Sequence, residues 1–298
     1  MPRKLSLLLI GSVLVFLTLP SIAMASVRVV TTIQPLALIV RAVAGETAHI
    51  STLIEKQDSA HHFTLSPGDR LAIEGADVLL WIGPDFEVFL NTMMSRLVDQ
   101  TLLTALALPE MTLHRLDDET IDPHVWLDPA NAQVIAAAIA GELTRLDPDN
   151  RQRYSDNLTA FTQALARIEG EIAGELAELP EFSFAVYHNA YQYFEQRFGL
   201  AHGVALVHNP EVAPGIQQTL RTQARVREVA PACVLIEPDY SPALLATLMG
   251  DSRAQQIEVD LLGYDLDMTG TTALTATANY EQLLNTIAAS FQRCASAP

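Results

Sequence analysis

Residues 147–179 read DPDNRQRYSDNLTAFTQALARIEGEIAGELAEL, and the organisation of the chain turns on them. Asp147-Pro148 is a helix start, an acceptor side chain followed by proline in the first turn. Behind it the apolar residues are Tyr154, Leu158, Phe161, Leu165, Ile168, Ile172, Leu176 and Leu179. Steps of three and four put them in one stripe, so the spacing predicts a helix packed along one side. Roughly 30 residues at about 1.5 Å each span some 45 Å, more than one small domain. A coiled-coil dimer would use the same stripe, but four heptads inside an otherwise α/β chain favour a stiff connector between two lobes.

On either side of this helix the pattern alternates between short β-branched runs and helices. Before it, Val27 to Ile33, His49 to Ile54, Val78 to Ile82 and Met111 to Leu116 read as strands. Helices run from Pro35 towards Gly45, from Pro67 to Ala76, from Pro84 through Leu97 and from Asp128-Pro129 to Leu146. After it, Phe184 to Tyr187, Val204 to Val207, Cys233 to Ile236 and Gln256 to Val259 are strands with helices between them. Alternation of this kind means βαβ units and parallel sheets. The expected fold is α/β: two lobes, each a parallel sheet flanked by helices, joined by one long rigid helix. A ligand then belongs in the cleft, outside the C-terminal ends of the strands. Ile82-Gly83-Pro84-Asp85-Phe86 and Ile236-Glu237-Pro238-Asp239-Tyr240 echo one another across the lobes, which strand-plus-helix chemistry alone explains.

The N-terminus is a separate unit. Arg3 and Lys4 precede an apolar run from Leu5 to Leu19, then Pro20 and the small-x-small signal Ala23-Met24-Ala25. A run of this length is short of the about 20 residues a membrane span needs and fits an export signal. The expected boundaries are therefore 1–25 signal peptide, 26–146 first lobe, 147–179 connecting helix and 180–298 second lobe. No cysteine lies near the cleavage point to take a lipid, so the mature chain is expected free in the periplasm. Its formal charge, −17 over 298 residues, deepens to −19 once Arg3 and Lys4 are gone. Such a field repels nucleic acid and attracts cations. Cys233 and Cys294 are the only cysteines. In an exported chain they read as a disulfide or, as the rival, a thiolate pair on a metal; their separation matches no zinc-site spacing.

No phosphate loop, G-x-S-x-G elbow or H-E-x-x-H is present. What remains is eight histidines, many carboxylates and a cleft. His61 and His62 follow the second strand; His124 lies in Asp122-Pro123-His124-Val125-Trp126-Leu127; His188 ends the strand that begins at Phe184; Asp260 follows Val259. All sit at strand ends, where a cleft ligand binds. His49 and His114 fall inside expected strands, and His202 and His208 lie in a loop without a nameable partner. Position alone does not choose among the eight.

A resemblance does. The whole mature chain resembles the metal-specific solute-binding proteins of ABC transporters, most closely the periplasmic zinc-uptake type. It is carried by His61-His62-Phe63 with Pro67 and Asp69, by Trp81-Ile82-Gly83-Pro84 with Phe86 and Phe89, and by Asp122 to Pro129. Tyr187-His188-Asn189-Ala190-Tyr191-Gln192-Tyr193-Phe194, Phe198-Gly199-Leu200, Asn209-Pro210-Glu211, Pro214-Gly215, Glu237-Pro238 and Asp260-Leu261-Leu262-Gly263 continue it. The resemblance implies a metal site in the interlobe cleft, with ligands His61, His124 and His188 and Asp260 or water in the fourth place. It implies Zn²⁺ as cargo, no catalytic activity, a Cys233–Cys294 disulfide, a monomer, and permease and ATPase subunits of a membrane ABC transporter as partners. Imidazole suits zinc, whereas manganese prefers more carboxylate oxygen. The family's manganese members carry Glu where this chain has His188. Rival readings are a manganese or iron receptor, a zinc hydrolase with three histidines and one open position, and an adhesin on the same fold. Two features depart from the family pattern. Residues Leu113 to Ile121 are short, with one His and three acids where relatives carry a long His-rich loop. His62 is an extra imidazole, expected to face solvent.

Overall fold

The computed structural model describes residues 26–54, 63–97, 100–116, 118–207, 212–238, 240–266, 270 and 272–297. The expected signal peptide, His61, His62, His208 and Asn209-Pro210-Glu211 lie outside them. In chain order come β1 (Val27–Thr31), α1 (Gln34–Ala44), β2 (Ala48–Thr52), α2 (Pro67–Glu74) and β3 (Val78–Trp81). Then follow α3 (Asn91–Met94), β4 (Thr101–Thr104), α4 (Pro129–Leu146), α5 (Arg151–Ala177) and β5 (Phe184–His188). The remainder is α6 (Gln192–Arg197), β6 (Val204–Val207), α7 (Ile216–Val229), β7 (Cys233–Ile236), α8 (Pro242–Met249), β8 (Gln255–Glu258) and α9 (Ala273–Ala295).

The strands form two four-stranded sheets, ordered β2-β1-β3-β4 and β6-β5-β7-β8, parallel throughout. The two orders are the same order. The echo therefore begins at the ends of the corresponding third strands, β3 and β7. In β5, Phe184 and Val186 face one hydrophobic cluster while Ala185 and Tyr187 face another, the period-two alternation of a sheet covered on both sides. The first cluster runs unbroken from the β1 sheet through α1, α4, α5 and α9 to β7 and β8. α1 is apolar on nearly every side and is wrapped by its own sheet, α4, α5 and α9. α9 packs on both α1 and α5, and a Cys233–Cys294 disulfide ties its last turn to the start of β7.

The long helix is present as α5, preceded by a 3₁₀ turn at Pro148–Asn150. Its stripe is met within the chain by α4, α1 and α9 rather than by a second copy. Two expectations are corrected. Met111 to Leu116 is not a strand, and β4 is Thr101–Thr104 instead. The backbone of Thr112 is satisfied by the Asn131 amide, which accepts its N–H at 2.8 Å and donates to its carbonyl at 2.9 Å. A side chain does there what a neighbouring strand would do. His114 thus lies outside any strand, its N–H donating to the Tyr193 hydroxyl. Pro84 does not open a helix through Leu97. A turn leads to a 3₁₀ turn at Val88–Leu90 and the single turn of α3, because Glu87 turns inward to receive the Ile82 and Gly83 N–H groups. Among the described residues no helix is long and apolar enough to cross a membrane.

Candidate metal centre

His124 stands in an irregular segment between β4 and α4. Two residues before it, the fully buried Asp122 carboxylate accepts two bonds at Oδ1, from the His124 backbone N–H at 3.0 Å and the ring Nδ1–H at 2.7 Å. That second bond keeps the proton on Nδ1 and leaves the Nε2 lone pair for a ligand. Phe86 and Trp126 wall the ring, with centroids 6.1 and 5.3 Å away.

His188 is the last residue of β5, so the strand aims it out of the sheet's C-terminal edge. Its Nδ1 lies 3.2 Å from Oε2 of Glu237, which follows the neighbouring strand β7. The Tyr191 hydroxyl donates to Glu237 Oε1 at 3.0 Å. Burial, reinforced by the Glu237 charge, pushes the Tyr191 phenol well above its usual range, so it remains a donor. The two histidines thus have the same design: a ring whose Nδ1 faces a buried carboxylate.

Their Nε2 atoms meet. His124 Nε2 and His188 Nε2 are 3.2 Å apart, with ring centroids at 5.1 Å. Two lone pairs that close repel unless a proton or a metal cation lies between them. For zinc–nitrogen bonds of about 2.0–2.1 Å, the edge of a tetrahedron is about 3.3–3.4 Å. The observed spacing is nearly that edge. Asp122 Oδ2 and Asn189 Oδ1 are buried with no hydrogen-bond donor among the described residues. Acceptors without donors make the surroundings electronegative and suited to a cation.

A family profile described as "Zinc-uptake complex component A periplasmic" matches residues 29–294. The chain belongs to this family. A relative from Brucella suis, the high-affinity zinc uptake system protein ZnuA, is 28% identical and aligns over 90% of this chain and 91% of its own length. The protein of that name from Yersinia pestis is 29% identical over 80% and 84%. A solved structure of ZnuA superposes with a TM-score of 0.72 at 24% identity, covering 87% of this chain and 98% of that one, a likeness of fold.

Of the four ligand positions that the family resemblance implies, the structure brings His124 and His188 together; His61 lies outside the described residues. Asp260 is half-buried and turned to its own loop: Oδ1 accepts from Leu262 and Gly263 N–H at 3.0 and 2.8 Å, Oδ2 from Asp265 N–H at 2.9 Å. A carboxylate offers about four lone-pair sites, so one remains on Oδ2. Among the described residues no three of His, Cys, Asp and Glu converge on one point. His202 is taken by Glu195 at 2.5 Å, and His114 packs at a tilt on Tyr193, ring centroids 4.7 Å apart. Asp122 and Glu237 lie inside the motifs quoted above, where the sequence alone assigns them no role. An acid two residues before a ligand histidine was the available signal for the first; for the second, only the pairing of β5 with β7 supplies one.

Proposed function

We propose that His61, His124 and His188, with Asp260 or water in the fourth place, hold one Zn²⁺ in the cleft between a first lobe, 26–146, and a second, 180–298, connected by 147–179. The protein is a periplasmic zinc-binding receptor, a carrier and not an enzyme, which works with the permease and ATPase of an ABC zinc importer. In our reading residues 1–25 are removed on export and the receptor is a monomer without a lipid anchor. The carrying observation is the His124–His188 pair, with both Nδ1 atoms facing buried carboxylates and both Nε2 atoms a tetrahedral edge apart.

The stripped mature protein, offered equal Zn²⁺ and Mn²⁺, is expected to retain about one Zn²⁺ per chain. His188→Ala should abolish that retention and His62→Ala should spare it. Stoichiometric Mn²⁺ with zinc excluded would refute the cargo, and the reverse order of the two variants would refute the ligand set. Imidazole binds metal only when neutral, so affinity should fall with acid more steeply than one proton per pH unit.

A further inference from the structure

α6 begins four residues after His188 and presents Tyr193 and Arg197, one turn apart, on the same side. Both reach the segment that carries His124. The Tyr193 hydroxyl donates to the Asp122 carbonyl at 2.8 Å. The Arg197 guanidinium grips the Asp128 carboxylate with two bonds, Nε to Oδ1 at 2.7 Å and Nη2 to Oδ2 at 2.9 Å, while Nη1 lies 3.4 Å from Glu169 on α5. Two-pronged guanidinium–carboxylate pairs fix geometry as well as charge. Asp128 is nearly fully buried and also caps α4 by accepting the Ala130 N–H.

Between these anchors the chain has little freedom. Residues 125–127 form a 3₁₀ turn, closed by Leu127 N–H on the His124 carbonyl at 3.2 Å and Asp128 N–H on the Val125 carbonyl at 3.3 Å. Trp126 donates its indole N–H to the Leu261 carbonyl, and its own carbonyl accepts from Tyr280. The segment 122–128 therefore takes anchors from α6, the loop after β8, and α9, in addition to those in its own lobe, where the Asp122 N–H donates to the His114 carbonyl and Phe86 packs on Trp126.

We infer that α6 is the spacer of the metal centre: Arg197, through Asp128, and Tyr193, through Asp122, set the distance between His124 and His188, which makes Arg197 a positioning residue for zinc capture. This rests on reading the two histidines as ligands.

The test uses the mature protein, with Zn²⁺ affinity measured by chelator competition well below the melting temperature and the visible spectrum recorded at saturating Co²⁺. Arg197→Gln should weaken zinc about tenfold, a typical loss when a group supporting a ligand is removed, and alter the Co²⁺ spectrum. Arg197→Lys should recover part of both, and Glu169→Gln, which leaves both Asp128 bonds, should match wild type. Should Arg197→Gln not fold, Asp128→Asn takes its place with the same expectations. Wild-type affinity would overturn the proposal, and so would lowered affinity with a wild-type Co²⁺ spectrum, since that marks lost stability and not a displaced ligand. If His124→Ala itself bound zinc like wild type, the ligand reading would fall instead.

Discussion

Glu87 is wholly buried one residue after Phe86, and its carboxylate accepts from the Thr32 hydroxyl and from the Ile82 and Gly83 N–H groups at 3.0 and 2.8 Å. It thereby pins the end of β3 to the residue after β1, behind the ring that walls His124. Two effects oppose each other. Burial raises its pKa, the three donors lower it, and burial prevails, pushing it up from 4.5 to about 7. Between those values the folded protein holds a proton that the unfolded chain has released. The resulting stability is present below about pH 4.5 and is lost as pH rises to about 7, some 3 kcal/mol in all. Glu87→Gln cannot ionise, so urea midpoints should move in the variant's favour, relative to wild type, across that interval and level off above it. Parallel pH profiles would mean that Glu87 stays charged. This residue also shows a limit of sequence reading. An acid inside an apparent helix looks like a solvated face until the fold turns it inward.

Most elements were legible because their signals were local: proline after an acid or serine at helix starts, glycine at the end of α1, β-branched runs in β1, β6 and β7. The strand at Thr101–Thr104 was not, since its two leucines between threonines carry no boundary stronger than those of Met111 to Leu116. What separates the two segments is tertiary: β3 offers a free edge to one, and Asn131 occupies the backbone of the other. The Cys233–Cys294 disulfide is an element-scale device too, joining β7 to the far end of α9 across a sequence separation of 61. Loop-closure entropy for that length is about 4 kcal/mol. Both cysteines are buried, and Cys233 opens β7 at the end opposite Glu237, the residue that meets His188. Reduction should therefore lower the melting temperature by several degrees while zinc stoichiometry stays at one per chain. Loss of zinc together with the disulfide would mean that α9 is needed to hold the centre itself.

At the scale of the molecule, two sheets of identical strand order face a common seam, and the seam is extensively bonded. Gln34 donates to the Gly263 carbonyl, Tyr264 to the Ile54 carbonyl, and Trp126 to the Leu261 carbonyl, at 2.6, 2.9 and 3.0 Å. α9 lies across α1 and α5 behind them, within one continuous core. The Asp260 carboxylate organises the loop from which Leu261, Gly263 and Tyr264 reach over, so it shapes the seam whether or not it touches metal. Opening such a seam widely would expose apolar surface and strand several buried polar groups. Zinc therefore has little large-scale motion to drive, and its effect should be local and thermodynamic. A ligand that binds only the folded state stabilises it by mass action, about 4 kcal/mol at a thousandfold excess over Kd. Saturating zinc should raise the melting temperature, slow amide exchange most around His124 and His188, and leave the radius of gyration from X-ray scattering unchanged within error. His188→Ala should lose both the thermal shift and the exchange protection. A marked contraction on zinc binding, with exchange slowed throughout the seam, would show instead that the lobes part in the metal-free protein, and that the bonds across Gly263, Leu261 and Tyr264 form only once the cation is held.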